Sequence, residues 1–349
     1  MRFDRDRYLE WYLPRFRETS PPPINLHASG VQALTPEALP PPATGDPWSL
    51  PGRFEEALAA WLDLPAEEVL FTPGATGGNL LAALALAGPG AEVLVEAPIY
   101  EPMFLHAARI GPFRRLHRTG SEGWTLPGDA ADAVREGTGL VIITEPHNPS
   151  GRFSPRATVE ALAQAAARVG AYLLINEVYR DFSDRPSYHG LGPNVVVVSS
   201  LSKLLGAYWA RLGWLSAAPE VIERLRWAHL NLGMPASPAA ATGLAVLARA
   251  DGLRDAARRT AQTFLPLVDA WVRETPGVSW SPPQGPGFGC LELPPGTDDM
   301  AVAETLLRQE GVLVIPGTLF EAPGTLRIAW LQVGDRLIEG LDAVRRVVR

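Results

Sequence analysis

A lysine flanked by hydroxyls, Ser199-Ser200-Leu201-Ser202-Lys203, follows the run Val195-Val196-Val197-Val198, and Arg211 comes eight residues later. An unbroken β-branched run suits a strand buried on both faces. The lysine therefore falls just past the carboxyl end of a strand, where open α/β sheets bind their ligands. There it can form a Schiff base if desolvation or nearby cations lower its pKa. The hydroxyls and the guanidinium suit a dianionic phosphate. A second anion feature is Gly74-Ala75-Thr76, which opens a helix whose free N–H groups and dipole attract negative charge. No phosphate loop ending in Gly-Lys-Ser/Thr is present. Gly285-Pro286-Gly287-Phe288-Gly289 sits in a glycine-proline turn with no helix after it, unlike a dinucleotide fingerprint. Two phosphate features and one lysine describe pyridoxal phosphate better than a nucleotide.

Three further apolar runs end in polar residues. Glu96-Ala97-Pro98-Ile99-Tyr100 follows Val93-Leu94-Val95, and Thr144-Glu145-Pro146-His147-Asn148-Pro149-Ser150-Gly151 follows Leu140-Val141-Ile142-Ile143. Asn176-Glu177-Val178-Tyr179 follows Tyr172-Leu173-Leu174-Ile175. Helical spacing separates the runs: Phe54, Leu58, Trp61 and Leu62 within 53–64, and an alanine- and leucine-rich stretch over 79–87. Another helix carries the stripe Val159, Leu162, Ala166 and Val169, with Ser154 as expected N-cap, Pro155 in the first turn and Gly170 past the end. Strands alternating with helices predict an α/β fold with a mainly parallel sheet flanked by helices.

From about Pro219 to Thr275 the chain reads as long helices. Beyond it come short strand-like runs, Leu291 to Leu293 and Val312 to Ile315, and a helix near 300–309. This texture predicts a large cofactor-binding domain over 46–250 and a smaller α+β domain over 251–349, joined by an N-terminal arm over 1–45. The arm begins with a segment of mixed charge, read as a surface helix rather than a secretory signal, and continues into a proline-rich irregular stretch.

Composition narrows the partners. The net charge of −7 gives no electrostatic footprint for nucleic acid or an anionic membrane. No apolar run is long enough to span a bilayer. The lone Cys290 excludes a disulfide framework within the chain, fits a reducing cytoplasm, and reads as a buried small hydrophobe. His27, His106 and His117 have no second ligand at metal spacing, so no metal is expected.

PGATGGN, PHNPSG, NEVY, SSLSK with its following arginine, and LRIAW occur in one order along the chain. In that combination the sequence resembles the class I/II aminotransferases, pyridoxal-phosphate enzymes of fold type I, from about Ile24 to Val348. The resemblance implies an aspartate-aminotransferase-like large domain and a homodimer. It implies that Lys203 carries the cofactor as a Schiff base and moves the substrate proton. Ala75, Thr76, Ser200, Ser202 and Arg211 would hold the phosphate, and Tyr100 would stack on the pyridine. Asn148 and Tyr179 would bond the 3′ oxygen. Arg327, assisted by Asn148, would clamp the substrate carboxylate, with Gly30 close by. The implied reaction moves an amino group between an L-amino acid and a 2-oxo acid.

The chain departs from the family at Asn176, where an aspartate usually pairs with the protonated pyridine nitrogen. An amide supplies no negative charge but can donate to a neutral nitrogen, which makes the ring a weaker electron sink. Alternatives therefore stay open: a lyase, racemase or decarboxylase using the same Schiff base, or a catalytically degenerate cofactor-binding protein. Trp48 is a second departure, near the place of a family tyrosine that reaches the partner subunit's phosphate.

Overall fold

The computed structural model describes residues 6–18, 24–232 and 237–348. The first five residues of the arm and Pro21-Pro22-Pro23 lie outside them. Helix α1 (Arg7–Glu18) and the short strand β1 (Ile24–Asn25) open the chain, and α2 (Leu50–Leu62) follows the proline-rich stretch. Phe54 and Leu58 of α2 are fully buried, as their spacing requires.

The sheet then builds through β2 (Val69–Pro73), α3 (Gly74–Leu86), β3 (Glu92–Ala97), α4 (Glu101–Ile110), β4 (Phe113–His117) and β5 (Thr138–Thr144). It continues through α5 (Arg156–Arg168), β6 (Tyr172–Asn176), β7 (Val195–Ser200), α6 (Leu201–Leu205) and β8 (Leu212–Ser216). Seven strands lie in the order β2-β8-β7-β6-β5-β3-β4; β7, β6, β5, β3 and β4 are mutually parallel, and β8 alone runs against its neighbours. The mainly parallel sheet predicted above is therefore present, with its four expected strands at its centre. Sequence periodicity did not resolve β2, β4 and β8. They lie towards the margins, and β4 is the half-exposed FRRLH, whose polar positions hide the pattern. Register sets Thr144 beside Asn176 and Asn176 beside Val198, so the loops after β5, β6 and β7 leave at one level.

Helix α3 begins at Gly74, as the sequence of its glycine-rich opening requires, and continues through the alanine- and leucine-rich stretch to Leu86. One local expectation is corrected. Ser154 does not cap α5, whose N-cap position is Pro155 with no side-chain cap. Its hydroxyl instead donates to Glu145 (2.6 Å) and accepts from Arg118 (2.9 Å) and the Leu126 N–H (3.0 Å). A buried ion pair claims this oxygen more strongly than a helix end does. Gly170, with φ 73°, does end the helix.

Helices α7 (Pro219–Leu232), α8 (Ser237–Leu247) and α9 (Ala250–Arg273) fill the predicted helical stretch. Strands β9 (Ser279–Trp280) and β10 (Phe288–Glu292) come next, then α10 (Asp299–Thr305), which Asp298 caps through the N–H groups of Met300 and Ala301. The Val312–Ile315 run divides into β11 (Val312–Leu313) and β12 (Ile315–Pro316). Strand β13 (Thr325–Ala329) and α11 (Leu337–Val347) complete the chain. A four-stranded antiparallel sheet, β12-β13-β10-β9, places Arg327 opposite Cys290 and Ile315. Strand β1 pairs in parallel with β11. One core contains Tyr8, Trp11, Ile24 and Leu26 from the arm together with Val312, Leu326 and Leu341. Cys290 is buried in the second sheet, and burial pushes its thiol up to about 12.

Among the described residues, no helix is long and apolar enough to cross a membrane, and no group of histidine, cysteine or acidic side chains could hold a metal ion.

Candidate active site

The strand-end loops, the N-terminus of α3, helix α6 and strand β13 enclose a cavity of about 950 Å³. Eleven of the twelve residues singled out from sequence line it: Ala75, Thr76, Tyr100, Asn148, Asn176 and Tyr179, with Ser200, Ser202, Lys203, Arg211 and Arg327. The twelfth, Gly30, lies against Lys203 instead. A Cβ there would come within 2.8 Å of the Lys203 carbonyl oxygen and 2.9 Å of its Cα, so only glycine lets the arm pass this closely. The arm is fastened at that point by the Val31 N–H, which donates to the Lys203 carbonyl at 2.9 Å.

Lys203 stands on the one-turn helix α6, whose neighbours Leu201, Leu204 and Leu205 are buried. Its amine is pulled down to about 8, first by burial and then by the Arg327 and Arg211 guanidinium groups. A lysine so placed keeps a sizeable neutral fraction near neutral pH, as a nucleophile or proton acceptor needs.

The α3 N-terminus receives no side-chain cap. Its first N–H groups are free for an anion. Two close approaches build this end of the cavity. Gly213 of β8 lies so near that a Cβ would come within 2.6 Å of the Gly74 Cα and the Ala75 nitrogen. A Cβ on Gly74 would come within 2.7 Å of the Arg211 guanidinium, which thus lies across the helix start. Arg211 itself adopts φ 51°, an uncommon backbone conformation for a side-chain-bearing residue.

Arg327 lies opposite and is buried. It donates to the Asn148 Oδ1 (3.3 Å) and the His27 carbonyl (2.6 Å), its guanidinium sits by the Phe288 and Phe320 rings, and its Nε has no partner. Tyr179 exchanges a hydrogen bond with Ser29 (2.9 Å) and meets Phe288 edge-on. Tyr100 meets Tyr8 edge-on at 4.9 Å.

Among the described residues, no aspartate or glutamate lines the cavity, whereas Lys203, Arg211, Arg327 and Arg336 do. Among the described residues, only Arg336 of these four has a carboxylate partner, Glu339. His27 and His106 also line the cavity but are held neutral: burial and Arg327 bring His27 down to about 3, and burial and Arg109 bring His106 down to about 4. A buried cation without a counterion is costly. The site is therefore built for anions, one at the α3 N-terminus and one at Arg327, with a nucleophilic amine between them.

Sequence reasoning did not find Tyr8, Tyr12, Ser29, Met103 and Tyr208 on the cavity wall. For Tyr8 and Tyr12 a signal existed, since four-residue spacing puts both on one face of α1. Trp48, 93% exposed, does not line the cavity. His147, in the loop that carries Asn148, does not line the cavity: its Nε2 donates to the Pro98 carbonyl (2.9 Å), which leaves Nδ1 to accept from Ser150 (2.8 Å).

An α/β sheet with a lysine beyond its edge and anion sites on either side defines a pyridoxal-phosphate enzyme acting on amino acids. The family described as aminotransferase class I and II matches residues 45–336, and the chain belongs to it. Relatives include an aspartate aminotransferase of Pyrococcus horikoshii, 24% identical over 82% of this chain and 77% of the relative. An arginine–pyruvate transaminase of Pseudomonas aeruginosa is 28% identical over 81% and 74%. A crystal structure of a pyridoxal-phosphate-dependent aminotransferase from Streptococcus suis shares the fold with a TM-score of 0.87 at 24% identity, covering 100% of this chain and 98% of that one. The protein is a pyridoxal-phosphate-dependent aminotransferase, with amino acids and 2-oxo acids as its substrates. These relatives do not favour a lyase, racemase, decarboxylase or degenerate binding protein. The cavity fits the cofactor: an uncapped helix end with Arg211 for the phosphate, and an amine of lowered basicity for the aldehyde.

Proposed function

We propose that Lys203 binds the cofactor aldehyde as a Schiff base and that Arg327 binds the α-carboxylate of an L-amino acid or 2-oxo acid. The observation that carries this reading is the pairing deficit: Lys203, Arg211 and Arg327 have no carboxylate partner among the described residues, around a cavity without an acid. Ala75 and Thr76 give the phosphate backbone and hydroxyl bonds, and Ser200, Ser202 and Arg211 complete its cup. Tyr100 stacks on the ring, Asn148 and Tyr179 bond its 3′ oxygen, and Gly30 lets the arm pass close to Lys203 beside the substrate. When bound, the cofactor supplies an electrophilic aldehyde and an electron-accepting ring. Lys203, displaced by substrate, takes the proton from the substrate Cα and returns it on the other side of the amino-group transfer. The same reading divides the chain at about 45 and 250 and places it in the cytoplasm as a homodimer; the exposed Trp48 and Trp227 support the subunit contact alone.

Borohydride treatment after incubation with pyridoxal phosphate tests the assignment. A fixed adduct on the Lys203 peptide is expected. Because only the neutral amine reacts, capture should speed up as pH rises and level off above about 8, well below the range of an ordinary lysine. Absence of an adduct at Lys203 would defeat the reading.

Arg327→Gln tests the carboxylate site. A hydrogen bond to a charged group contributes roughly 1.5–3 kcal/mol, so KM for both substrates should rise by about tenfold to a hundredfold. The cofactor should still attach at Lys203. An unchanged KM would place the carboxylate elsewhere.

A further inference from the structure

We infer that Asn176 donates an amide N–H to the cofactor's ring nitrogen and so holds that nitrogen unprotonated. This deepens the reading above and rests on it.

The orientation of the amide is set by the backbone. The Asn176 Oδ1 accepts the Val178 N–H at 3.1 Å. A backbone N–H needs an acceptor, so the oxygen must lie on that side and Nδ2 on the other. Asn176 is buried at the end of β6, between Thr144 and Val198 in register. Its side chain lines the cavity, and its Nδ2 has the Met103 sulfur at 3.5 Å, a weak acceptor that does not satisfy it. A protonated pyridine nitrogen is itself a donor and would meet this group donor to donor. A neutral one is an acceptor and completes the pair.

Among the described residues, no acid lines the cavity to replace the missing carboxylate. The charged side chains on the cavity wall, from α6, the β8 approach, β13 and the C-terminal turn, are Lys203, Arg211, Arg327 and Arg336, all cationic. The histidines are His27 and His106, and the remaining titratable groups are tyrosines. The buried acids at neighbouring strand ends are engaged away from the cavity. Glu96 and Glu145 hold Arg118, and Glu177 accepts from Ser187 (2.8 Å) and the Tyr188 N–H (2.6 Å). Once the phosphate and the substrate carboxylate are bound by Arg211 and Arg327, no counterion remains for a positive ring nitrogen.

Nitrogen-15 NMR of the full-length protein loaded with ring-labelled pyridoxal phosphate reads the protonation state directly. The wild type should give the shift of a neutral pyridine, unchanged across neutral pH. Asn176→Asp should move it to the pyridinium position and speed solvent exchange of the substrate α-proton by about tenfold to a hundredfold. A pyridinium shift in the wild type, with the adduct present at Lys203, overturns the inference alone. A neutral shift retained in Asn176→Asp overturns the role given to Asn176. Failure of the cofactor to attach at Lys203 is a different result and falls on the earlier reading. If Asn176→Asp does not fold, the wild-type shift still decides.

Discussion

Lys203→Ala is expected to lower amino-group transfer by at least about a thousandfold while leaving the protein folded. A positioned general acid–base group contributes typically about 10²–10⁴-fold. Here the same side chain is also the proposed attachment point, so its loss removes both contributions. The fold should survive because Leu201, Leu204 and Leu205 anchor α6, and the Lys203 backbone carbonyl that holds Val31 is retained. The variant should show no less stability than the unliganded wild type. Lys203 has a folded pKa of about 8, below its unfolded value, so the native state binds fewer protons than the unfolded state between these values. Its contribution to stability therefore improves as pH rises through that window and is unfavourable below it. Alanine removes this dependence. Single-turnover absorbance with an amino-acid substrate measures the first effect, and thermal melts at pH 7 and pH 9.5 measure the second. Near-wild-type turnover in Lys203→Ala would remove the lysine from the chemistry.

Arg118→Met is expected to give the largest loss of stability. Arg118 is buried between Glu96 (2.7 Å) and Glu145 (3.0 Å), and it also donates to Ser154 and the Thr144 carbonyl. Breaking a buried ion pair from one side costs roughly 3–5 kcal/mol, a large part of the 5–15 kcal/mol typical of a folded protein. Two carboxylates would be stranded here, although protonation can relieve part of the cost. Burial, opposed by Arg118, already raises Glu96 to about 7. Without Arg118 its folded pKa climbs further above the unfolded value. The native variant then binds more protons than the unfolded chain, and stability falls as pH rises through that range. Arg118→Met should therefore melt well below the wild type at pH 8 and recover part of the gap at pH 6. A gap independent of pH would mean that packing rather than charge accounts for the loss. Activity should fall as well, because Glu145 leads into the loop carrying His147 and Asn148, and Asn148 accepts from Arg327.

Much of the site was legible in the chain because its parts are short and local. The valine run before Ser199 marks a strand, and the residues after a strand end point to the ligand edge of an α/β sheet. The glycines at 74, 77 and 78 mark a helix start open to an anion. Arg118 was not legible. It follows β4, whose FRRLH pattern does not read as a buried strand, and its partners lie 22 and 27 residues away. Ser154 was assigned to a helix cap because the cap is the local alternative; the triad that claims it forms only when three strand ends meet.

Sequence alone determined the α/β architecture and the family and singled out Lys203, because continuous β-branched runs and ordered motifs specify strands and their following loops without reference to the rest of the chain. Tertiary structure decided which way the Asn176 amide faces, that the cavity carries cations without acids among the described residues, and that the arm's Tyr8 and Tyr12 complete its wall. Those properties depend on pairings between distant segments: a hydrogen bond or an unmet charge is defined by what lies across from it, and only the folded chain supplies the other side.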